Sequence, residues 1–127
     1  MRFMRLMIPK GYESAEPTAL PTAELVAAMM KYNDELTKAG ALLTADGLHP
    51  PAKATRVSFT GGTPIVTDGP FAETKEALGG YWIIQAASQE EAVDWARRCP
   101  AGDGDVTEVR QIQGSEDFPE EIQKLIG

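Results

Sequence analysis

His49 is the only histidine of the chain, and Asp68 opens the segment Asp68-Gly69-Pro70-Phe71 further on. A histidine titrates near neutral pH, so it can pass protons or bind anions. A carboxylate beside it can orient the ring and stabilise its charged form. Pro50 and Pro51 follow His49 and stiffen the chain that leaves it. The pattern alone leaves a second reading open, in which His49 is an exposed loop histidine or a packed one with satisfied ring nitrogens. Asp68 has the same ambiguity. Asp-Gly-Pro is a common turn sequence, because Asp bonds the backbone that follows it and Gly tolerates positive φ.

Other side chains could line a pocket around this pair. Arg56, Ser58 and Thr60 share one face of a strand candidate. Arg56 and Ser58 could hold an anionic or carbonyl-bearing substrate, or could simply meet water. Glu73, Lys75 and Glu76 form a charged run beyond Phe71. Glu73 or Lys75 could reach a cleft, although such a run is more often a solvated face. Cys99 lies at helical spacing with Ala92, Trp95 and Ala96, which reads as a buried and unreactive thiol. Tyr81, Trp82 and Trp95 read as core.

Several chemistries lack their parts. A zinc site wants three or four His, Cys or carboxylate ligands, and the chain has one His and one Cys. No glycine-rich phosphate loop and no Gly-x-Ser-x-Gly elbow is present. A Ser58-His49-Asp68 arrangement has no spacing rule behind it. The expectation is a site with no metal and no cofactor.

These residues need elements to position them. Residues 2–8 read as a first strand, and the prolines and glycine of 9–21 as a loop. Residues 22–39 carry a helical period, with Leu25, Met29, Tyr32, Leu36 and Ala39 on the apolar side and Gly40 at the end. Residues 41–48 are a second strand candidate, stopped by the prolines after His49. Residues 55–60 alternate, Gly61-Gly62 is a hairpin turn signal, and 64–67 is the returning strand. The charged run suggests a helical turn at 72–77. Residues 81–86 are an apolar strand, and Ser88-Gln89-Glu90-Glu91 is a capping box that opens a second helix ended by Pro100. Residues 106–112 form the last main strand. Phe118, Ile122, Leu125 and Ile126 suggest a short tail helix within 115–127 that docks through its apolar stripe, on its own domain or across the dimer.

The order β-α-β, hairpin, β-α-β predicts an α+β ferredoxin-like sandwich with an inserted β-hairpin, in one domain over residues 1–127. Helices on one face of an antiparallel sheet leave the other face bare. Pairing two such faces in a homodimer would cover it. The two ends of a hairpin are neighbours, so His49 and Asp68 are expected at the same end of the sheet.

Composition sets the outer limits. The 127 residues are 43% apolar and carry a formal net charge of −7. That field repels a polyphosphate backbone, so no nucleic-acid partner is expected. No stretch approaches the roughly 20 apolar residues of a membrane span. With one cysteine and no signal-peptide pattern, the expected compartment is the cytoplasm.

The stretches Gly47-Leu48-His49-Pro50, Val57-Ser58-Phe59 with Gly61-Gly62, Val66 through Glu76, and Gly79-Gly80-Tyr81-Trp82-Ile83-Ile84 resemble the DGPF branch of the YCII-related family. Ala92 through Pro100 and Glu108-Val109-Arg110 are similar to it as well. The resemblance implies a ferredoxin-like fold that dimerises sheet to sheet, as in the dimeric α/β-barrel superfamily. It also implies a proposed site containing a histidine and an aspartate, which fall on His49 and Asp68. Two functions follow as expectations. One is a small-molecule enzyme with His49 as general acid or base and Asp68 as its orienting partner. The other is a non-catalytic dimeric module that binds a metabolite or a regulatory partner, since the branch is often linked to sigma factors of the extracytoplasmic-function type. A His49–Asp68 hydrogen bond in an enclosed cavity favours the first, and an exposed, unpaired His49 favours the second.

Overall fold

Strand β1 (Arg2–Ile8) alternates between core and surface in the computed structural model, which describes residues 1–127. Phe3, Arg5 and Met7 are buried, while Met4, Leu6 and Ile8 point the other way and stay half exposed. A period of two places alternate residues on opposite faces of a sheet, so this one strand already defines a covered and an open side. Helix α1 (Ala23–Lys38) follows the loop, with Thr22 capping it by accepting from the amide of Leu25 at 3.2 Å. Strand β2 (Leu42–Gly47) comes next, then the hairpin strands β3 (Thr55–Thr60) and β4 (Thr63–Asp68). Strand β5 (Gly80–Gln85), helix α2 (Gln89–Arg97) and strand β6 (Val106–Gln111) complete the domain, and α3 (Glu120–Ile126) forms the tail.

The main sheet runs in the order β2-β5-β1-β6, with every neighbouring pair antiparallel. This is the α+β ferredoxin-like arrangement expected from the element order. Strands β3 and β4 pair only with each other, as a separate two-stranded sheet inserted between the halves. Gly61 and Gly62 turn the hairpin with φ of 58° and 81°, the doubly left-handed geometry of a type I′ turn.

The core lies between the main sheet and the two helices. Phe3, Met7, Trp82 and Ile84 from the sheet meet Tyr32 and Leu36 of α1 and Ala92 of α2. Ser88 caps α2 by accepting from the amide of Glu91 at 3.1 Å, and the Glu91 carboxylate returns to accept from the amide of Ala87.

Four local expectations need correction. Leu25 and Ala39 do not belong to the buried stripe of α1: Leu25 lies in its first turn and is 41% exposed, and Ala39 caps its C-terminus and is exposed. Tyr81 is not core. Its register opposite Leu6 and Asp46 puts it on the open face, where its hydroxyl donates to Asp46 at 3.1 Å. Residues 72–77 form no helix, only a turn at 72–73 within an extended segment. Helix α3 forms but does not dock on its own domain, since Leu125 is 83% exposed and Ile126 56%.

Candidate functional site

Four strands end at one edge of the main sheet. Ile8 of β1 lies opposite Val106 of β6, and Gly80 of β5 lies opposite both Met7 and Gly47. The segments beyond these ends, 9–14, 48–54, 69–79 and 102–105, therefore gather there, and they carry His49, Glu73, Lys75 and Glu76. Main-chain bonds tie them together. Gly79 donates to Met7 at 2.8 Å and accepts from Leu48 at 3.0 Å, while the Tyr12 hydroxyl donates to the Leu48 carbonyl. Burial pushes the Tyr12 hydroxyl above the ordinary tyrosine pKa.

His49 leaves this knot into solvent. Pro50 and Pro51 behind it are buried, so the prolines anchor the chain and present the histidine at the surface. Its ring makes no hydrogen bond or ion pair. Asp68 ends β4, is exposed, and accepts from the Thr55 hydroxyl at 3.0 Å across the base of the hairpin. No hydrogen bond or ion pair joins His49 to Asp68.

The main chain does bring their segments together. The amide of Gly69 donates to the carbonyl of Ala54 at 2.8 Å. A Cβ at Gly69 would stand 1.8 Å from the Pro51 carbonyl oxygen, so only glycine permits this approach. The sequence-based expectation of a common location holds at the level of backbone. The side chains remain apart.

The remaining candidates divide. Arg56 lays its guanidinium over the ring of Phe71, 3.8 Å from the centroid, and donates to the Thr74 hydroxyl at 3.1 Å. It therefore fastens the 71–74 segment to the hairpin. Ser58 donates to the carbonyl of Ile65 within the same hairpin at 3.5 Å and meets no other candidate. Glu73 is exposed with no bonded partner. Cys99 is half buried, and desolvation raises its thiol pKa against the opposing effect of Arg5. No group of three or more His, Cys, Asp or Glu side chains is close enough to hold a metal ion.

Arg5 is the residue that pattern reading undervalued. It is fully buried, with its guanidinium 4.5 Å from the centroid of Trp82 and 5.4 Å from that of Tyr32. It donates to the Tyr32 hydroxyl and, at 3.4 Å, to the Thr107 hydroxyl, while its Nε finds no acceptor. Two aromatic faces stand where a carboxylate would be expected. The signal was the alternation Phe3-Arg5-Met7, which already put Arg5 on the apolar face.

Residues 1–115 match the YCII-related domain. The chain belongs to the YCII-related family. The match takes in every element of the main sheet and the hairpin, and it stops before α3. The chain is also 43% identical, over 74 residues, to an uncharacterised protein of Rhizobium meliloti (strain 1021), covering 58% of this chain and 56% of that one. The chain thus spans about half the length of this curated relative. In this YCII-related domain, the His49 and Asp68 segments converge at the sheet edge without forming an acid–base pair. No helix is long and apolar enough to cross a membrane.

Proposed function

We propose that this YCII-related protein, of the DGPF branch, is a homodimeric ligand-binding module rather than a catalyst. The observation that carries the reading is the exposed, unpaired state of His49 together with an Asp68 already engaged by Thr55. A catalytic imidazole is held in one orientation and tautomer by a partner group, and Asp68, the expected partner, bonds Thr55 instead.

The dimer follows from two uncovered apolar surfaces. On the open face of the sheet, Met4, Leu6, Ile83 and Tyr81 occupy the two central strands. Thr44 and Asp46 on one edge strand and Glu108 and Arg110 on the other surround them. An apolar centre with a polar rim is the usual anatomy of an interface. On the hairpin, Val57 pairs with Val66 and Phe59 with Pro64, which makes one apolar face. Phe59 is 76% exposed and Val66 66%. A lone two-stranded hairpin is marginal in water, so a cover stabilises it. Strand spacings give roughly 400 Å² for the sheet face and roughly 200 Å² for the hairpin face. Together these reach about the lower limit of a stable interface, which the sheet face alone does not.

A second reading keeps His49 as an acid–base group. The close passage of Gly69 against Pro51 and Ala54 favours it, because a small shift at the hairpin base would bring Asp68 towards the histidine. The test incubates the purified full chain with a metabolite extract and follows it by mass spectrometry. The binding reading predicts a small molecule retained on the native dimer and none consumed. Consumption of a compound by the native chain that His49→Ala fails to reproduce would replace it with the enzyme reading.

A further inference from the structure

Helix α3 carries an apolar stripe that its own domain leaves open. Ile122, Leu125 and Ile126 fall at spacings of three and four, which puts them on one face, and they are 37%, 83% and 56% exposed. Glu120 and Lys124 lie on the opposite side. The helix is seven residues long and packs on the turn at 115–117 that precedes it. An isolated helix shorter than about 12 residues is marginal in water, so this one needs a cover to persist. Local bonds aim it. The Gly114 amide donates to the Asp117 carboxylate at 2.8 Å, and the Gln123 side chain donates to the Phe118 carbonyl at 2.7 Å.

Position and area together name the cover. Strand β6 is an edge of the main sheet, and its Glu108 and Arg110 stand on the rim of the open face. Ile112 continues that row, its amide donating to the Arg2 carbonyl at 2.9 Å, and the tail leaves the sheet from there. The stripe therefore starts out beside the face that a second copy covers. Weighted by their exposure, its three side chains offer roughly 150 Å² of apolar surface. Added to the sheet and hairpin faces, that raises the covered surface to about 750 Å² per copy, close to the roughly 800 Å² of a standard interface.

We infer that α3 is an interface arm that closes on a second copy of this chain, burying Ile122, Leu125 and Ile126 against the partner at the rim of the paired sheets. The inference rests on the homodimer of the binding-module reading and adds the segment that clasps it. A two-fold dimer makes the contact reciprocal, so each pair of chains gains it twice.

The test measures the dimer dissociation constant of the full chain, of Leu125→Ser and of Lys124→Ser by sedimentation equilibrium. Leu125→Ser should raise the constant about tenfold or more, since burying one leucine is worth that factor. Lys124→Ser, on the opposite side of the helix, should leave it unchanged. Both positions are exposed, so the variants keep the fold. Amide exchange of the native chain should be slower over 120–126 in the dimer than in the single chain. A dimer indifferent to Leu125→Ser, or equally weakened by Lys124→Ser, would overturn the arm and leave the dimer standing. Exchange over 120–126 that is equally slow in the single chain would place the stripe on its own domain and also overturn it. A native chain that stays a single copy would overturn the arm and the dimer alike.

Discussion

The four-stranded sheet and the inserted hairpin are built on opposite terms. In the sheet, β1 and β5 send every second residue into a layer sealed by Tyr32, Leu36 and Ala92. In the hairpin, all six residues of β3 and all six of β4 are exposed, including four large apolar ones. Burial fixes the first region, whereas a ladder, a glycine turn and a few polar contacts at its base fix the second. Candidate functional residues Arg56, Ser58 and Asp68 lie on the second. A domain can thus hold a weakly anchored arm on a packed core, and the arm gains its stability from what covers it.

Substitution in the core should produce the largest contrast. Leu36→Ala should destabilise by about 2–5 kcal/mol, because a fully buried side chain leaves a cavity. Val57→Ala in the hairpin should stay within about 0.5 kcal/mol in dilute protein. Denaturant titration measures both. If the hairpin is an interface, its effect should grow with protein concentration, since association stabilises by mass action.

Gly69→Ala should come next, at about 1–3 kcal/mol, because its Cβ overlaps the Pro51 carbonyl. The loss should concentrate in residues 50–70, read as faster amide exchange there while β1 and β5 remain protected. Uniform loss of protection would show that hairpin and sheet unfold as one unit and break the comparison.

Alkaline pH should act more gently and on the sheet side. Desolvation raises the pKa of Cys99 and Tyr32, and the Asp46 hydrogen bond raises that of Tyr81. A pKa raised on folding gives stability that is complete below the unfolded value and is lost as pH rises through the folded one. Unfolding free energy should therefore be insensitive to these groups at neutral pH and decline above about pH 9, where the free thiol and then the phenols begin to ionise. Tyr32→Phe should flatten the steeper part of that decline. An undiminished slope in this variant would remove Tyr32 from the account.

The smallest effect should come from the tail. Helix α3 touches no core, so deleting residues 119–127 should leave the melting temperature nearly unchanged in dilute protein. A clear drop would show that the tail docks, as its apolar stripe suggested.

That stripe illustrates where pattern reading ends. Period and punctuation placed all six strands and both main helices, because burial in a two-layer fold imposes those periods directly: Phe3-Arg5-Met7 and Trp82-Ile84 alternate, Tyr32 and Leu36 recur at helical spacing. The Gly61-Gly62 turn was equally readable, since few residues tolerate its backbone. Apolar spacing at Ile122 and Leu125 carries no information on whether a partner surface exists. The site was readable only as a location. Hairpin geometry brings residues 49–54 and 68–70 together, but the direction of the His49 ring depends on how Pro50 and Pro51 pack, which no spacing encodes.

The central claim is that a second copy covers the hairpin and the open sheet face. Sedimentation equilibrium of the native chain and of Phe59→Ser tests it most directly. The account predicts a native mass twice the 13.7 kDa chain at micromolar concentration, and a shift towards the single-chain mass in Phe59→Ser with its core stability intact. A native chain that sediments at 13.7 kDa, or a dimer indifferent to Phe59→Ser, would contradict it.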